Sequence, residues 1–557
     1  MASSLLGKDY RHAKREDELD SQYPSRIEHL ACAIGFGTFV FKGVSMARNS
    51  TPVRTLALSH VAYTYPGAAE PVLHNVSVTF PVGWTGIVGD NGCGKSTLAR
   101  VACRLLTPDA GAVTGPVACA YCEQDPSLPP TRLEDFACDY GAEAIRLRTE
   151  LGIEDDMPWR FAELSFGEQK KLQVAVALWS NADVLVLDEP TNHVDAHTRR
   201  EIIKSCASYR GIGLVISHDR ELLDTLARQC LRFEGAGHSG TAQRLTMRAG
   251  GYTQGNTTAT VEQQNAQHTR EQALREHKRL IAEQQAREVA AARTAKRRSA
   301  HSLDKHDSDG RAKRALAIVS GQDGKRGKLA GRMTTRVERA TNVLASTKVD
   351  KRYDGNLWLE TEPHPRPVLM QIPAGEISCG SHGKLALPNL YLGSRDHIGI
   401  SGPNGAGKST FIHHLIRMMP DDADALVIPQ ELSDIERNRF LAHIRGLDTG
   451  SQGQLLSLVA QLNSDPKRIL TSCINGDANP SPGELRKLML ADGVLRTCPL
   501  IIMDEPTNHL DLHSIEALEA ALSAFPGALV LVSHDAHFLA ACTNRRWHIE
   551  DGCVQEI

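Results

Sequence analysis

The chain of 557 residues contains no run of about 18 apolar residues, the length a helix needs to cross a bilayer. Its longest apolar stretch near the start, residues 30–41, is too short to span, and the acidic Glu16, Asp17, Glu18 and Asp20 that precede it argue against a secretory signal. Zinc spacing is missing as well. Cys119 and Cys122 form a lone CxxC, and the 13 cysteines are otherwise scattered and odd in number, which fits reduced thiols in a cytoplasmic protein better than a disulfide framework. Aromatics are scarce at 5%, whereas apolar residues at 41% and charged residues at 23% are ordinary for a globular protein of more than one domain. Glycine and proline are both absent from Asn256 to Asp309, where Gln, Glu, Ala, Arg and Lys dominate, and this composition favours a long helix.

The net charge of −3 conceals an asymmetry. Residues 258–350 hold 20 Lys and Arg against 11 Asp and Glu, while the rest of the chain holds 43 against 55. A basic segment between acidic flanks points to a polyanionic partner for that segment alone.

On either side of it the same motifs recur. Gly89-Asp90-Asn91-Gly92-Cys93-Gly94-Lys95-Ser96, followed by Thr97, is a glycine-rich loop between a predicted strand and helix. Such a loop lets backbone N–H groups approach phosphate oxygens at the positive end of a helix, with Lys95 placed for the β- and γ-phosphates and Ser96 for Mg²⁺. Downstream lie Gln124, the segment LSFGE with Ser165, Gly167 and Glu168, the apolar strand ending in Asp188 and Glu189, and His218 after a further strand. A carboxylate at the end of a buried strand can hold a metal, and its neighbour can orient or deprotonate a water.

The second series runs Gly402-Pro403-Asn404-Gly405-Ala406-Gly407-Lys408-Ser409 with Thr410, then Gln430, then Ser481, Gly483 and Glu484, then Asp504 and Glu505, then His534. It is offset by 313 residues at the glycine-rich loop and by 316 at the signature, acidic and His motifs, so the copies are nearly co-linear. Any single motif could be a solvated strand end; an ordered series found twice cannot be dismissed that way.

Together these motifs resemble the ATP-binding-cassette ATPases, and the doubled EPTNH[VL]D resembles the soluble ABC-F branch. The resemblance covers roughly residues 54–557. It implies an α/β fold of two P-loop cassettes joined by a long helical hairpin, and ATP hydrolysis with Mg²⁺. It also implies two nucleotide sites, each built on one copy's loop and capped by the other copy's signature. One site then combines Lys95, Gln124, Asp188, Glu189 and His218 with Ser481, Gly483 and Glu484. The other combines Lys408, Gln430, Asp504, Glu505 and His534 with Ser165, Gly167 and Glu168. Ser96, Asp188, Ser409 and Asp504 become the metal-binding residues, Glu189, Glu505, His218 and His534 the catalytic ones, and Tyr65 the candidate for stacking on adenine.

Two departures stand out. The second signature reads Pro480-Ser481-Pro482-Gly483-Glu484, and Phe166 replaces a small residue in the first.

The expected organisation is an extension over residues 1–53 (disordered, or untranslated if Met46 is the start), a first cassette at 54–257, a basic hairpin at 258–350 and a second cassette at 351–557. Roughly 45 helical residues would give a rod of about 65 Å. Leu274, Ile281 and Val289 on the outward limb face Met333, Val337, Ala340 and Leu344 on the return, and the segment with Leu316, Ala317, Ile318 and Val319 forms the tip. For the ABC-F branch, the resemblance implies a linker that enters the ribosomal E site beside rRNA and P-site tRNA. In the resistance members it implies displacement of an antibiotic from the peptidyl-transferase region. A monomer with intramolecular cassette pairing and no membrane partner follows. A translation factor without a resistance role and the ATPase subunit of a drug exporter remain as alternatives.

Overall fold

A computed structural model describes residues 55–557, apart from 69, 193, 235–243, 299–308, 310–321, 347–360, 380–382, 421–423, 431, 463, 465, 470–479 and 509. Residues 1–54 and the expected tip residues Leu316–Val319 therefore lie outside the described residues.

In the first cassette, β1 (Thr55–Tyr63) alternates buried and exposed positions and pairs antiparallel with β2 (Leu73–Pro81) and β4 (Ala110–Thr114), the pattern of a sheet with one wet face. β6 (Val184–Asp188) and β7 (Ile212–Ile216) are instead buried at every position, as strands covered on both faces must be. They belong to a six-stranded sheet ordered β5 (Cys119–Cys122), β6, β7, β3 (Gly83–Val88), β8 (Ala227–Glu234), β9 (Arg244–Ala249). All neighbours in it are parallel except β8 and β9.

This order brings the C-terminal ends of β3, β7 and β6 side by side. The glycine-rich loop, His218 and Asp188 follow those ends, so residues distant in sequence share one edge, where α/β sheets bind ligands.

Helix α1 (Lys95–Ala102) leaves the loop directly. A helical subdomain follows, with α2 (Leu133–Cys138), α3 (Ala142–Leu151), the 3-10 segment Met157–Glu163 and α4 (Phe166–Trp179). Then come α5 (Ala196–Ala207) and α6 (Arg220–Leu226), N-capped by Asp195 and Asp219.

The second cassette repeats the plan. Its eight-stranded sheet is ordered β11 (Gly375–Ser378), β12 (Lys384–Leu387), β19 (Cys553–Glu556), β18 (Arg545–Glu550), β14 (His397–Ser401), β17 (Ala528–Val532), β16 (Leu500–Asp504), β15 (Ala425–Ile428). A two-stranded sheet of β10 (Val368–Ile372) and β13 (Leu390–Gly393) accompanies it.

Linker helix α7 runs from Tyr252 to Arg298, 47 residues or about 70 Å at ~1.5 Å per residue. It starts six residues before the expected boundary. Thr253 N donates to Asp224 Oδ1 at 2.8 Å, and Tyr252 is buried in the first cassette's core, so the first turn is anchored. Helix α8 (Gln322–Ser346) packs against α7, and His277 Nε2 lies 3.1 Å from Thr341 Oγ1. The return limb thus begins inside the glycine-rich segment expected as loop. Extending a helix already held by packing costs far less than starting one. Of the expected stripe, Met333 is buried and Leu274, Ile281, Val337, Ala340 and Leu344 are half-buried, whereas Val289 is exposed; Leu280, outside that stripe, is buried as well. No helix among the described residues is long and apolar enough to cross a membrane.

The remaining helices are α9 (Lys408–Met418), α10 (Asp434–Gly446), α11 (Thr449–Gln461), α12 (Pro466–Ile469), α13 (Pro482–Leu495), α14 (Leu512–Ser523) and α15 (Ala536–Cys542).

Candidate ATP sites

Gly94 and Gly407 precede α1 and α9 with φ of 99° and 98°, and a Cβ at Gly407 would come within 2.9 Å of Cys379 Sγ. Glycine is what allows the chain to turn there from loop into helix. In each copy the loop lysine folds back on its own loop. Lys95 Nζ donates to the carbonyls of Gly89 (2.8 Å) and Asp90 (3.0 Å), and Lys408 Nζ to those of Gly402 and Pro403 (both 2.9 Å). The loops are wrapped around an ammonium group, with Asn91 and Gly92, or Asn404 and Gly405, exposed and Cys93 buried.

Beside these loops lie the acidic pairs. Asp188 accepts from Tyr121 Oη at 2.7 Å, and Asp504 Oδ2 accepts from Ser409 Oγ at 3.2 Å. Glu189 and Glu505 adopt φ of 48° and 47°, a left-handed conformation that costs a non-glycine residue on the order of 1 kcal/mol and clusters at functional sites. Each accepts from the backbone N–H of the histidine that follows the next strand: His218 N to Glu189 Oε2 at 3.3 Å and His534 N to Glu505 Oε2 at 3.4 Å.

Burial pushes the Glu189 carboxyl up to about 8 and the Glu505 carboxyl up to about 7, against the opposing charges of Lys95 and Lys408. Burial also holds His218 well below the ordinary imidazole range and brings His534 down to about 4. A neutral His534 can accept the Lys408 ammonium, whose Nζ is 3.1 Å from its Nε2.

Ser165 and Ser481 cap α4 and α13 in the same way. Each Ser Oγ accepts from the N–H of Glu168 or Glu484, and each Glu carboxylate accepts from the Ser N–H, at 2.9 and 2.8 Å respectively. Pro482 occupies the first helical position, where its missing N–H costs nothing, so the unusual second signature keeps the cap. Phe166 is exposed immediately after Ser165. Tyr65 Oη lies 3.1 Å from Thr97 Oγ1, and its ring meets Tyr63 edge-on, which fixes it beside the start of α1. In the second copy, residues 380–382 fall outside the described residues.

Several residues outside the motifs support the candidate sites. Lys170 and Arg486, each five positions after the signature serine, grip the backbone carbonyls of Gln124 (3.1 Å) and Gln430 (2.6 Å). Their equal offset was a readable signal. The contacts between copies had no such signal. His513 Nδ1 lies 3.1 Å from Asp90 Oδ1, Asn404 N donates to Asp195 Oδ2 at 3.5 Å, and Arg199 Nη1 donates to the His534 carbonyl at 3.2 Å. Each copy's glycine-rich loop thus meets residues that follow the other copy's acidic strand.

The family model described as ABC transporter matches residues 73–192 and 386–508, one match in each cassette. The tylosin resistance ATP-binding protein TlrC of Streptomyces fradiae is 27% identical over 578 residues, covering 91% of this chain and 99% of TlrC. The ribosome protection protein VmlR of Bacillus subtilis strain 168 is 26% identical over 486 residues, covering 85% of this chain and 82% of VmlR. The chain is a tandem ABC-F ATPase. A solved structure of the RNase-L Inhibitor shares the fold, with a TM-score of 0.57 at 17% identity over 90% of this chain and 91% of that one. As an ABC-F ATPase the chain binds and hydrolyses ATP.

Proposed function

We propose that this ATPase acts on the ribosome and protects it from an antibiotic bound near the peptidyl-transferase region. The observation that carries the reading is the paired-helix linker between the cassettes, within a segment of 20 Lys and Arg against 11 Asp and Glu. A rod of that length and charge suits contact with RNA phosphates. Likeness to proteins named for tylosin resistance and for ribosome protection supports it. In this reading the ATP-bound, closed cassettes hold the linker in the ribosomal E site against rRNA and P-site tRNA. The tip residues Leu316, Ala317, Ile318 and Val319 act on the drug site, and hydrolysis releases the protein.

Within each ATP site, Lys95 and Lys408 exchange their loop carbonyls for the nucleotide's phosphates. Glu189 and Glu505 orient and deprotonate the attacking water, and His218 and His534 contact the γ-phosphate. Asp188 Oδ1 is buried without a hydrogen-bond partner, and Ser409 is already against Asp504, so Ser96 with Asp188 and Ser409 with Asp504 fit the Mg²⁺ that would neutralise phosphate charge. Ser481, Gly483 and Glu484 would close over the first nucleotide, and Ser165, Gly167 and Glu168 over the second.

The test is drug susceptibility of a host expressing the intact protein, against one expressing a variant with Leu316–Val319 replaced by Gly and Ser. Protection by the intact protein alone, at equal ATPase rates, is expected; equal protection by both overturns the role of the tip.

A further inference from the structure

Helix α14 belongs to the second cassette by sequence, but one of its faces is given to the first cassette and the linker. His513, Glu516 and Glu519 stand at i, i+3 and i+6, on neighbouring turns of that face. His513 meets Asp90 of the first glycine-rich loop, and its other ring nitrogen contacts the guanidinium of Arg232. Glu516 Oε1 accepts from Tyr252 Oη at 2.8 Å and from Asn256 Nδ2 at 2.6 Å, both on the first turns of linker helix α7. Glu519 receives Arg220 as a fork, Nη1 to Oε1 at 2.9 Å and Nη2 to Oε2 at 3.1 Å, and Arg220 lies two residues after His218. Leu512, at the start of the same helix, is buried in the first cassette's core together with Tyr252.

The counterpart helix α5 carries His197, Arg200 and Ile203 at the equivalent positions. His197 is largely exposed beside its own Glu201, Arg200 Nε donates back to Ala196 O, and Ile203 is buried in its own cassette. Opposite, the position of Asp90 is taken by Pro403, which offers no side-chain acceptor. An open recess of about 390 Å³ lies at the base of α7, beside Tyr252, Asn256, Thr260, Arg220 and His537.

We infer that α14 transmits the state of the ATP site built on Lys95 to the base of the linker, with Glu516 as the positioning residue, and that among the described residues the site built on Lys408 has no equivalent route. The inference rests on the ATPase assignment and needs no ribosome, so it stands or fails separately from the ribosomal reading.

Hydrogen exchange of the full chain, free and saturated with a non-hydrolysable ATP analogue, tests it. Peptides covering residues 250–264 report the linker base, and those covering 89–97 and 402–410 report occupancy of each site. Nucleotide should slow exchange at 250–264 by at least fivefold in the native protein. Glu516→Ala should abolish that slowing, Glu516→Gln should restore most of it because an amide oxygen still accepts, and Tyr252→Phe, which removes a single oxygen, should weaken it. Lys95→Ala should abolish it, whereas Lys408→Ala and Arg200→Ala should leave it in place. Slowing that persists in Glu516→Ala, or that is lost equally in Lys408→Ala or Arg200→Ala, overturns the inference. So does a native protein protected at 89–97 but unchanged at 250–264.

Discussion

His513 and Asp90, 423 residues apart in the chain, lie 3.1 Å apart across the two cassettes. Burial pushes the Asp90 carboxyl up, but the hydrogen bond and charge of His513, with Lys95 nearby, outweigh it and hold the group below the ordinary carboxylate range. The pair joins the first glycine-rich loop to helix α14 of the other cassette. Asp90→Asn and His513→Ala should therefore each raise the ATP KM several-fold, and together by less than the product. A coupling of about 1 kcal/mol is expected for a half-buried pair. Steady-state kinetics over the cycle measures it; His197→Ala, at the equivalent position in the first cassette, should change KM by less than twofold.

Lys170 is fully buried and donates to the carbonyls of Glu123 (2.7 Å) and Gln124 (3.1 Å) and to Gln173 Oε1 (2.9 Å). Lys170→Ala would strand these acceptors, a cost of about 2–4 kcal/mol in stability. Urea unfolding should show a lower midpoint for the first cassette, and the ATPase rate should fall as Gln124 loses its support. Lys170→Arg, which keeps the donors that Arg486 supplies in the second cassette, should recover part of both.

The buried glutamates give a pH dependence to the nucleotide-free, Mg²⁺-free protein. Folding raises Glu189 to about 8 and Glu505 to about 7 from near 4.5 when unfolded, chiefly through burial. The native state therefore binds more protons. The stability this supplies is complete below about pH 4.5 and is lost as pH rises through 7 to 8. Glutamine has no charge to bury, so Glu189→Gln with Glu505→Gln should match the native protein near pH 5 and exceed it by roughly a few kcal/mol at pH 9. Calorimetric melting in EDTA reads the gap; one that does not widen with pH would rule out this account of the two carboxyls.

Much of this architecture can be read in the sequence because it is written locally. VLVLD and LIIMD announce buried parallel strands, and glycine-rich loops before Lys95 and Lys408 announce the turn into a helix. A long stretch free of glycine and proline announces the linker helix. Its start was less legible, because Tyr252 is fixed by tertiary burial and Thr253 by Asp224 rather than by composition. Glycines between Gln322 and Gly331 hid the beginning of α8, because their low helix propensity reads as loop. The cross-cassette residues His513, Glu516 and Arg220 carry no motif of their own. Their partners are hundreds of residues away, and the difference between the two sites appears only when Asp90 is set against Pro403 in space.

The central claim, an ATPase whose closed form engages the ribosome, is tested most directly by sedimentation. Protein carrying Glu189→Gln and Glu505→Gln, which should bind ATP without turning it over, is mixed with 70S ribosomes and ATP and spun through a cushion. The account predicts near-stoichiometric co-sedimentation with ATP and at least tenfold less without it. Absence from the pellet at saturating ATP, with nucleotide binding intact, would contradict it.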